Sequence, residues 1–341
     1  MEVKIDPTLP VRGVPFNSLH KLMIALYSSM PIRYTDALKA VVEDNIVSSV
    51  KGEPLKKSSF YHYWWALRLL GLIRLNDENQ LYYLTSSGQS LIRLEPSTED
   101  DKLSLPVKDI FREGMLTSHE IWRNFLVLFT GQLEPTKDIE YGGIVSFNPI
   151  PATKYKKPTT YRGYAVYSSK LENLEIPIEP RVYQFIVSGL RRWGQQCGLI
   201  DEIFPPITSR KFPNITSFMY LIDNDKERNL NYDDFTEFLR KYEHCATRIF
   251  ETTSRFSIPE LLSILCPGEA IHLTTAQRLL EKWVSKYSHH VALERPSIGL
   301  IEEQKGKRNK ERLNHSQPWL LINGKVYTTM LVRTNILELE G

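Results

Sequence analysis

Residues 58–92 read SSFYHYWWALRLLGLIRLNDENQLYYLTSSGQSLI. Phe60, Trp64, Leu67 and Leu70 recur at helical spacing and predict a helix over about 58–70 with one apolar face. Gly71 stands just past its end, where glycine accepts a left-handed backbone that other residues resist, and Leu72-Ile73 then enters a strand. Two short apolar runs flank Asn76-Asp77-Glu78-Asn79, and polar turn residues between such runs predict a hairpin. The SSGQSLI tail predicts a short closing helix. Outside the apolar stripe, Tyr61, His62 and Arg68 are left to face outward. Trp64 and Trp65 are assigned to the core.

Upstream, Leu19, Leu22, Met23 and Leu26 set the apolar face of a helix over about 16–29, and a second helix is expected over about 34–47. The order helix, helix, helix, two-stranded wing resembles the winged helix-turn-helix superfamily. The resemblance rests on the quoted stretch and covers about a quarter of the chain. It includes the Leu70-Gly71-Leu72-Ile73 ending of the third helix, the wing turn at 76–79, and a wing that closes with threonine, glycine and a helix. It implies that the third helix reads a nucleic acid. Lys56, Lys57, Ser58 and Ser59 would then stand at its start, where free N–H groups and the helix dipole favour a phosphate. Tyr61, His62 and Arg68 would point into a major groove. More distantly, the layout resembles the recognition region of type IIS restriction endonucleases, which string several winged-helix-like units before a separate nuclease. Here the string would be the whole chain.

On this reading the fold is α+β and mainly helical, with several winged-helix-like units joined by irregular strand and loop segments. Residues 1–15, with Pro7, Pro10 and Pro15, form an N-terminal arm, and residues 16–94 form the winged-helix domain. An acidic break at 95–101 leads to a central domain over 102–253, where a second winged-helix-like unit stays open. Within it, 107–130 and 231–253 read as helical and 136–168 as strands or loops; 181–196 read as helix and PNITSFMYLI as strand. Residues 254–341 form a C-terminal winged-helix-like domain with two helices, a basic insertion, and a hairpin turning at Asn323-Gly324. RRWGQQCGLIDEI at 191–203 echoes the helix-Gly-Leu-Ile junction of 64–75.

Two basic clusters are further candidates for nucleic-acid contact. KYKKPTTYRGY, residues 154–164, holds four basic residues, three tyrosines and no acid; its candidates are Lys154, Tyr155, Lys156, Lys157, Tyr161 and Arg162. Cations neutralise phosphates and tyrosine stacks on bases. KGKRNKER contributes Lys305, Lys307, Arg308, Lys310 and Arg312 against one acid. Arg191 and Arg192 complete the set. The clusters are expected on the same side of the molecule as the reading helix.

The bulk composition is that of a globular protein, with 341 residues, 42% hydrophobic, 24% charged and a net charge of +3. That charge excess alone does not imply a polyanion partner; its clustering does. The three cysteines, Cys197, Cys245 and Cys266, lack metal-ligand spacing and fit a reducing cytoplasm. No stretch approaches the roughly 20 apolar residues of a membrane helix, so no membrane partner is expected. The expected function is sequence-reading DNA binding on double-stranded DNA, by a recognition or adaptor subunit of a restriction, phage-defence or mobile-element system. Other protein subunits are candidate partners; no cofactor, metal or catalytic residue is assigned.

Two alternatives stand beside it. One is a metal-dependent nuclease, for which Glu303-Gln304-Lys305 supplies a carboxylate-x-lysine element and Asp223 a remote partner. The other is a winged-helix scaffold that binds protein. Asp223, Asp225, Glu227, Asn229 and Asn231 mimic calcium-loop spacing, but Arg228 stands where that loop needs glycine, and a solvated acidic turn is expected there.

Overall fold

The computed structural model describes residues 14–43, 55–98, 102–151, 161–171, 174–177, 189–205, 215–296 and 317–338. They form an α+β fold in two compact units. The first takes the described residues within Met1–Glu140, Pro149–Val166 and Asn173–Ile200. The second takes those within Tyr141–Asn148, Tyr167–Glu172 and Asp201–Gly341.

The first unit opens with α1 (Phe16–Leu26), α2 (Tyr34–Val42) and α3 (Lys57–Leu69), followed by the hairpin β1 (Ile73–Asn76) and β2 (Leu81–Leu84) and by α4 (Ser86–Ile92). The buried stripe of α3 is the expected one, with Phe60, Trp64, Leu67 and Leu70 all sealed from solvent. The Trp64 ring is enclosed by Phe60 at 5.5 Å, Tyr34 of α2 at 5.8 Å and Tyr82 of β2 at 4.9 Å. One residue before α2 matters equally. Ile32 forms a bridge with Tyr82: the Ile32 N–H donates to the Tyr82 carbonyl at 3.1 Å, and the Ile32 carbonyl accepts the Tyr82 N–H at 2.8 Å. That bridge adds a third, one-residue strand to the hairpin. The hairpin turn spans 77–80, one residue later than expected, because Asn76 still pairs with Leu81.

The junction from α3 to β1 explains the glycine and the threonine of the quoted stretch. Gly71 has φ +67°. Its N–H donates to the Arg68 carbonyl and that of Leu72 to the Leu67 carbonyl, both at 2.9 Å, the paired bonds of a Schellman ending. The Thr85 hydroxyl donates to the Gly71 carbonyl at 2.6 Å and accepts the Gly88 N–H at 3.1 Å, so one side chain caps α4 and ties it to the end of α3.

Helix α5 (Leu105–Thr117) packs behind this module. A helical stretch follows, made of α6 (His119–Ile121), a π turn at Trp122–Leu126 and α7 (Val127–Thr130). Later in the chain come the strands β3 (Ile144–Pro151), β4 (Tyr161–Ser168) and β5 (Leu174–Pro177), then α8 (Arg191–Gln196), which also packs on α5. Phe16 stacks on Phe111 of α5 at 4.1 Å and on Trp193 of α8 at 5.5 Å, and the Trp193 indole N–H donates to the Val14 carbonyl at 2.8 Å. The expected echo is present in the backbone. Gly198, at φ +68°, ends α8 with the same pair of bonds, Gly198 N–H to Gln195 and Leu199 N–H to Gly194, before β6 (Ile200–Ile203).

In the second unit, β7 (Phe218–Leu221) leads to α9 (Asn224–Asn229) and α10 (Asp234–Lys241). The hairpin β8 (Thr247–Phe250) and β9 (Thr253–Ser257) precedes α11 (Ile258–Glu269) and α12 (Leu273–Lys286). Then come β10 (Val291–Glu294), β11 (Leu320–Ile322), β12 (Lys325–Tyr327), β13 (Thr329–Arg333) and α13 (Thr334–Glu338). The helix expected over 231–253 is therefore confined to α10 and followed by a hairpin, because Thr247-Arg248-Ile249-Phe250 finds a partner strand in Thr253–Ser257. Four strands form an antiparallel sheet in the order β10-β13-β9-β8. Phe256, Met330 and Val332 on its inner face join Leu262, Leu280 and Trp283 of α11 and α12 in one core. The expected turn at Asn323-Gly324 joins β11 to β12, with both residues at positive φ (50° and 72°), as a two-residue turn of this type needs.

Two polar knots are built into this unit. Asp201 and Glu227 cap α12. Asp201 accepts the Leu273 N–H at 2.8 Å, and Glu227 accepts the Thr275 hydroxyl and the His272 N–H. His272 lies between the two carboxylates, 3.5 Å from Asp201 and 3.9 Å from Glu227. In the second knot, buried Glu269 receives Lys226 and Lys241, each at 2.6 Å, and the Tyr242 hydroxyl at 2.9 Å.

Burial alone would push both carboxyls up, but these donors outweigh it and hold Asp201 and Glu269 below their ordinary values. A carboxyl lowered in the folded state stabilises it fully above the unfolded pKa, and that stability is lost as pH falls through the folded value. Thermal unfolding followed between neutral and acid pH should therefore show this unit losing stability below about pH 4, the ordinary carboxylate range. Asp201→Asn and Glu269→Gln should each flatten that acid slope. A slope unchanged in both variants would show that these carboxyls do not titrate with folding.

Candidate nucleic-acid interface

The outward surface of the first module is set by what α3 does not bury. Lys56, Lys57, Ser58 and Tyr61 are exposed, and Ser59, His62, Trp65 and Arg68 are half-buried. Lys56 is the residue before the helix. No side chain caps α3 at this end and its first turn holds no acid. A helix start left this way presents N–H groups and the positive end of its dipole, and two lysines add full charges beside it. Tyr61 meets His62 edge-on at 5.7 Å and Trp65 at 6.0 Å, so the three rings form one aromatic surface along the exposed flank of α3.

Arg68 is engaged by neighbouring rings. Its guanidinium lies over the Trp65 ring at 4.5 Å and 5.6 Å from Tyr82, so it rests across the helix and the hairpin. Stacking of this kind is worth about 0.5–1 kcal/mol at an exposed site and fixes the side chain in place. The hairpin tip is also less suited to phosphate than its position suggests. Asp77 and Glu78 are both exposed there, and Arg74 is the one exposed cation on β1. Of α3 and the hairpin, it is the start of α3 that carries two adjacent exposed cations with no acid in the first turn.

Arg191 and Arg192 belong to α8, Arg191 half-buried and Arg192 exposed. Tyr161 and Arg162 lie in β4, but their side chains fall outside the described residues. Lys154, Tyr155, Lys156 and Lys157 are outside them too, as are Lys305, Lys307, Arg308, Lys310 and Arg312. The expected alignment of the two basic clusters with α3 falls outside them with these residues, and so does the Glu303-Gln304-Lys305 element.

Asp223 has a structural role. It is the N-cap of α9, accepting the Lys226 N–H at 3.0 Å. The segment expected as an acidic turn is a short helix, because that cap starts it and Glu227 turns toward α12. Among the described residues, no group of three or more His, Cys, Asp and Glu is placed to hold a metal ion.

One feature carried no periodic signal in the sequence. A shallow groove of about 370 Å³ lies on the other side of the hairpin, between residues 27–31, β2 and α4, and is lined by Tyr27, Met30, Tyr83, Gln89, Ile92 and Arg93. Its residues come from three separate elements, so only the fold assembles it. No helix of the described residues is long and apolar enough to cross a membrane. No protein-family model, curated protein or solved structure matches the chain.

Proposed function

We propose that residues 16–94 are a winged helix and that the chain binds double-stranded DNA through α3. The observation that carries this reading is the closure of the module. The order is helix, bridge residue, helix, helix, hairpin, and the Ile32–Tyr82 bridge ties the hairpin to the segment before α2. That arrangement holds α3 rigid along one side of the module, with its uncapped, lysine-flanked start exposed. Phosphates would meet Lys56, Lys57 and the N–H groups of the first turn, while Tyr61 and His62 would reach base edges. The second helix-glycine-strand junction at Gly198, and the α11–α12 pair followed by strands, support further winged-helix-like units in the chain. None of the three cysteines is in a disulfide, as a reducing cytoplasm would leave them. A recognition or adaptor subunit of a restriction, phage-defence or mobile-element system is the setting in which such a chain would work.

Binding of a duplex measured across salt tests this. Lys56→Ala with Lys57→Ala should weaken affinity for all sequences alike and reduce the slope of log K against log salt by about 0.9 per lost contact. Tyr61→Ala or His62→Ala should instead change the ranking of sequences. Neutralising the wing tip with Asp77→Asn and Glu78→Gln should tighten binding at low salt and leave the ranking intact. An affinity and slope untouched by the lysine pair would refute the interface and favour the protein-binding scaffold.

A further inference from the structure

The groove beside Tyr83 draws its walls from three elements of the first unit. The turn at Tyr27–Ser29 and the residue after it supply Tyr27 and Met30, β2 supplies Tyr83, and α4 with the residue that ends it supplies Gln89, Ile92 and Arg93. Most of this lining is apolar or aromatic. Tyr27 is 56% exposed and Tyr83 37%, so two large rings stand open to solvent there. The Tyr83 hydroxyl accepts the Asn79 amide N–H at 2.9 Å, which ties its ring to the hairpin turn. Arg93 is the one charged residue of the lining; it is exposed and makes no ion pair among the described residues. Arg74 stands opposite Tyr83 in the register of β1 and β2, on the same face of the hairpin, and adds a second exposed cation beside it. The acids of the surrounding segments, Asp77, Glu78 and Glu95, are not among the lining residues.

We infer that this groove binds a small aromatic carboxylate, with its ring against Tyr27 and Tyr83 and its carboxylate on the Arg93 guanidinium. Size selects the class of occupant. The groove measures about 370 Å³, within the roughly 300–1,000 Å³ of small-molecule sites, which is room for an organic acid and not for a folded partner. Charge selects the acid. A guanidinium without an ion-pair partner, on a lining without carboxylates, can meet a planar carboxylate with two parallel hydrogen bonds. The tyrosines select the ring, because aromatic faces and edges attract one another beyond the area they bury. The Gln89 amide leaves one further polar contact for a substituent. The inference goes beyond the nucleic-acid reading and does not depend on it, since the groove uses no residue assigned to DNA contact.

The test is titration of the full chain with naphthoate and with its neutral counterpart naphthalenemethanol, followed through the methyl resonances of Met30 and Ile92. Naphthoate should bind saturably, with a dissociation constant of about 1 mM or below, and shift both methyls; the alcohol should bind roughly 10-fold more weakly or less. Arg93→Gln should weaken naphthoate by roughly 10- to 100-fold, the effect of losing a hydrogen bond to a charged group, and leave the alcohol unchanged. Tyr83→Ala should weaken both compounds alike, by about 2- to 10-fold. Lys56→Ala with Lys57→Ala should change neither, so the groove and α3 are judged by separate results. Arg93 and Tyr83 are exposed, and unaltered thermal unfolding would verify that the variants fold. Absence of saturable binding, equal affinity for acid and alcohol, or an Arg93→Gln variant that binds naphthoate as the parent does overturns the inference. Self-association of the parent chain that Tyr83→Ala abolishes, without naphthoate binding, overturns it too and assigns the groove to a second copy.

Discussion

Trp64→Ala is expected to destabilise the first unit by about 3–5 kcal/mol, the usual cost of deleting a fully buried indole. Trp64 is 1% exposed and touches rings from α2, α3 and β2, so its removal leaves a void where three elements meet. Net stabilities of domains are about 5–15 kcal/mol, and a loss of this size would leave the module partly unfolded near physiological temperature. Urea unfolding followed by circular dichroism should show the transition of this unit moving to lower denaturant while that of the second unit stays. Duplex binding should disappear with it. Trp65→Ala is the control. Trp65 is half-buried and supports Arg68 from outside, so its loss should cost under about 1 kcal/mol, near the worth of the stack. Comparable losses in both variants would mean that the aromatic core is not centred on Trp64.

Gly88→Ala and Gly114→Ala should each destabilise the same unit by about 1–3 kcal/mol, the range for overpacking. The sign is informative, because alanine is the better helix former by about 1 kcal/mol and both glycines sit inside helices. Space decides against propensity. A Cβ on Gly88 would fall 2.2 Å from the Leu72 carbonyl oxygen, and one on Gly114 2.5 Å from that of Leu70. These are backbone atoms on either side of Gly71, and the Schellman bonds and the Thr85 N–H bond to the Leu72 carbonyl at 3.1 Å keep them from yielding. Helices α4 and α5 can reach the end of α3 only where a side chain is missing. Thermal unfolding of the two alanine variants checks the claim, and a higher unfolding temperature in either would show that the helix in question stands off the junction. The effect also bears on function, since this junction sets the angle between α3 and the hairpin.

The elements that stand out in the sequence are those held by local rules. The stripe of α3, the left-handed Gly71, the turn at Asn323-Gly324 and the short helix after Thr85 each depend on residues within a few positions of one another. Spacing and turn chemistry therefore suffice to read them. Thr247–Phe250 was legible only as a continuation of a helix. Its strand state comes from Thr253–Ser257, and in that pairing a tertiary partner overrides local preference.

The candidate site divides along the same line. That Lys56, Lys57, Ser58 and Tyr61 lie outward follows from the sequence, because a helix that buries Phe60, Trp64 and Leu67 must turn them to solvent. That Arg68 is held over Trp65 and Tyr82 does not follow, because Tyr82 is brought to it by the hairpin and by the bridge to Ile32. The reasons for Gly88 and Gly114, the groove beside Tyr83 and the pairing of Arg333 with the Arg255 strand belong to the tertiary structure as well. Each depends on distances between segments far apart in the chain, and periodicity within a segment carries no information about those distances.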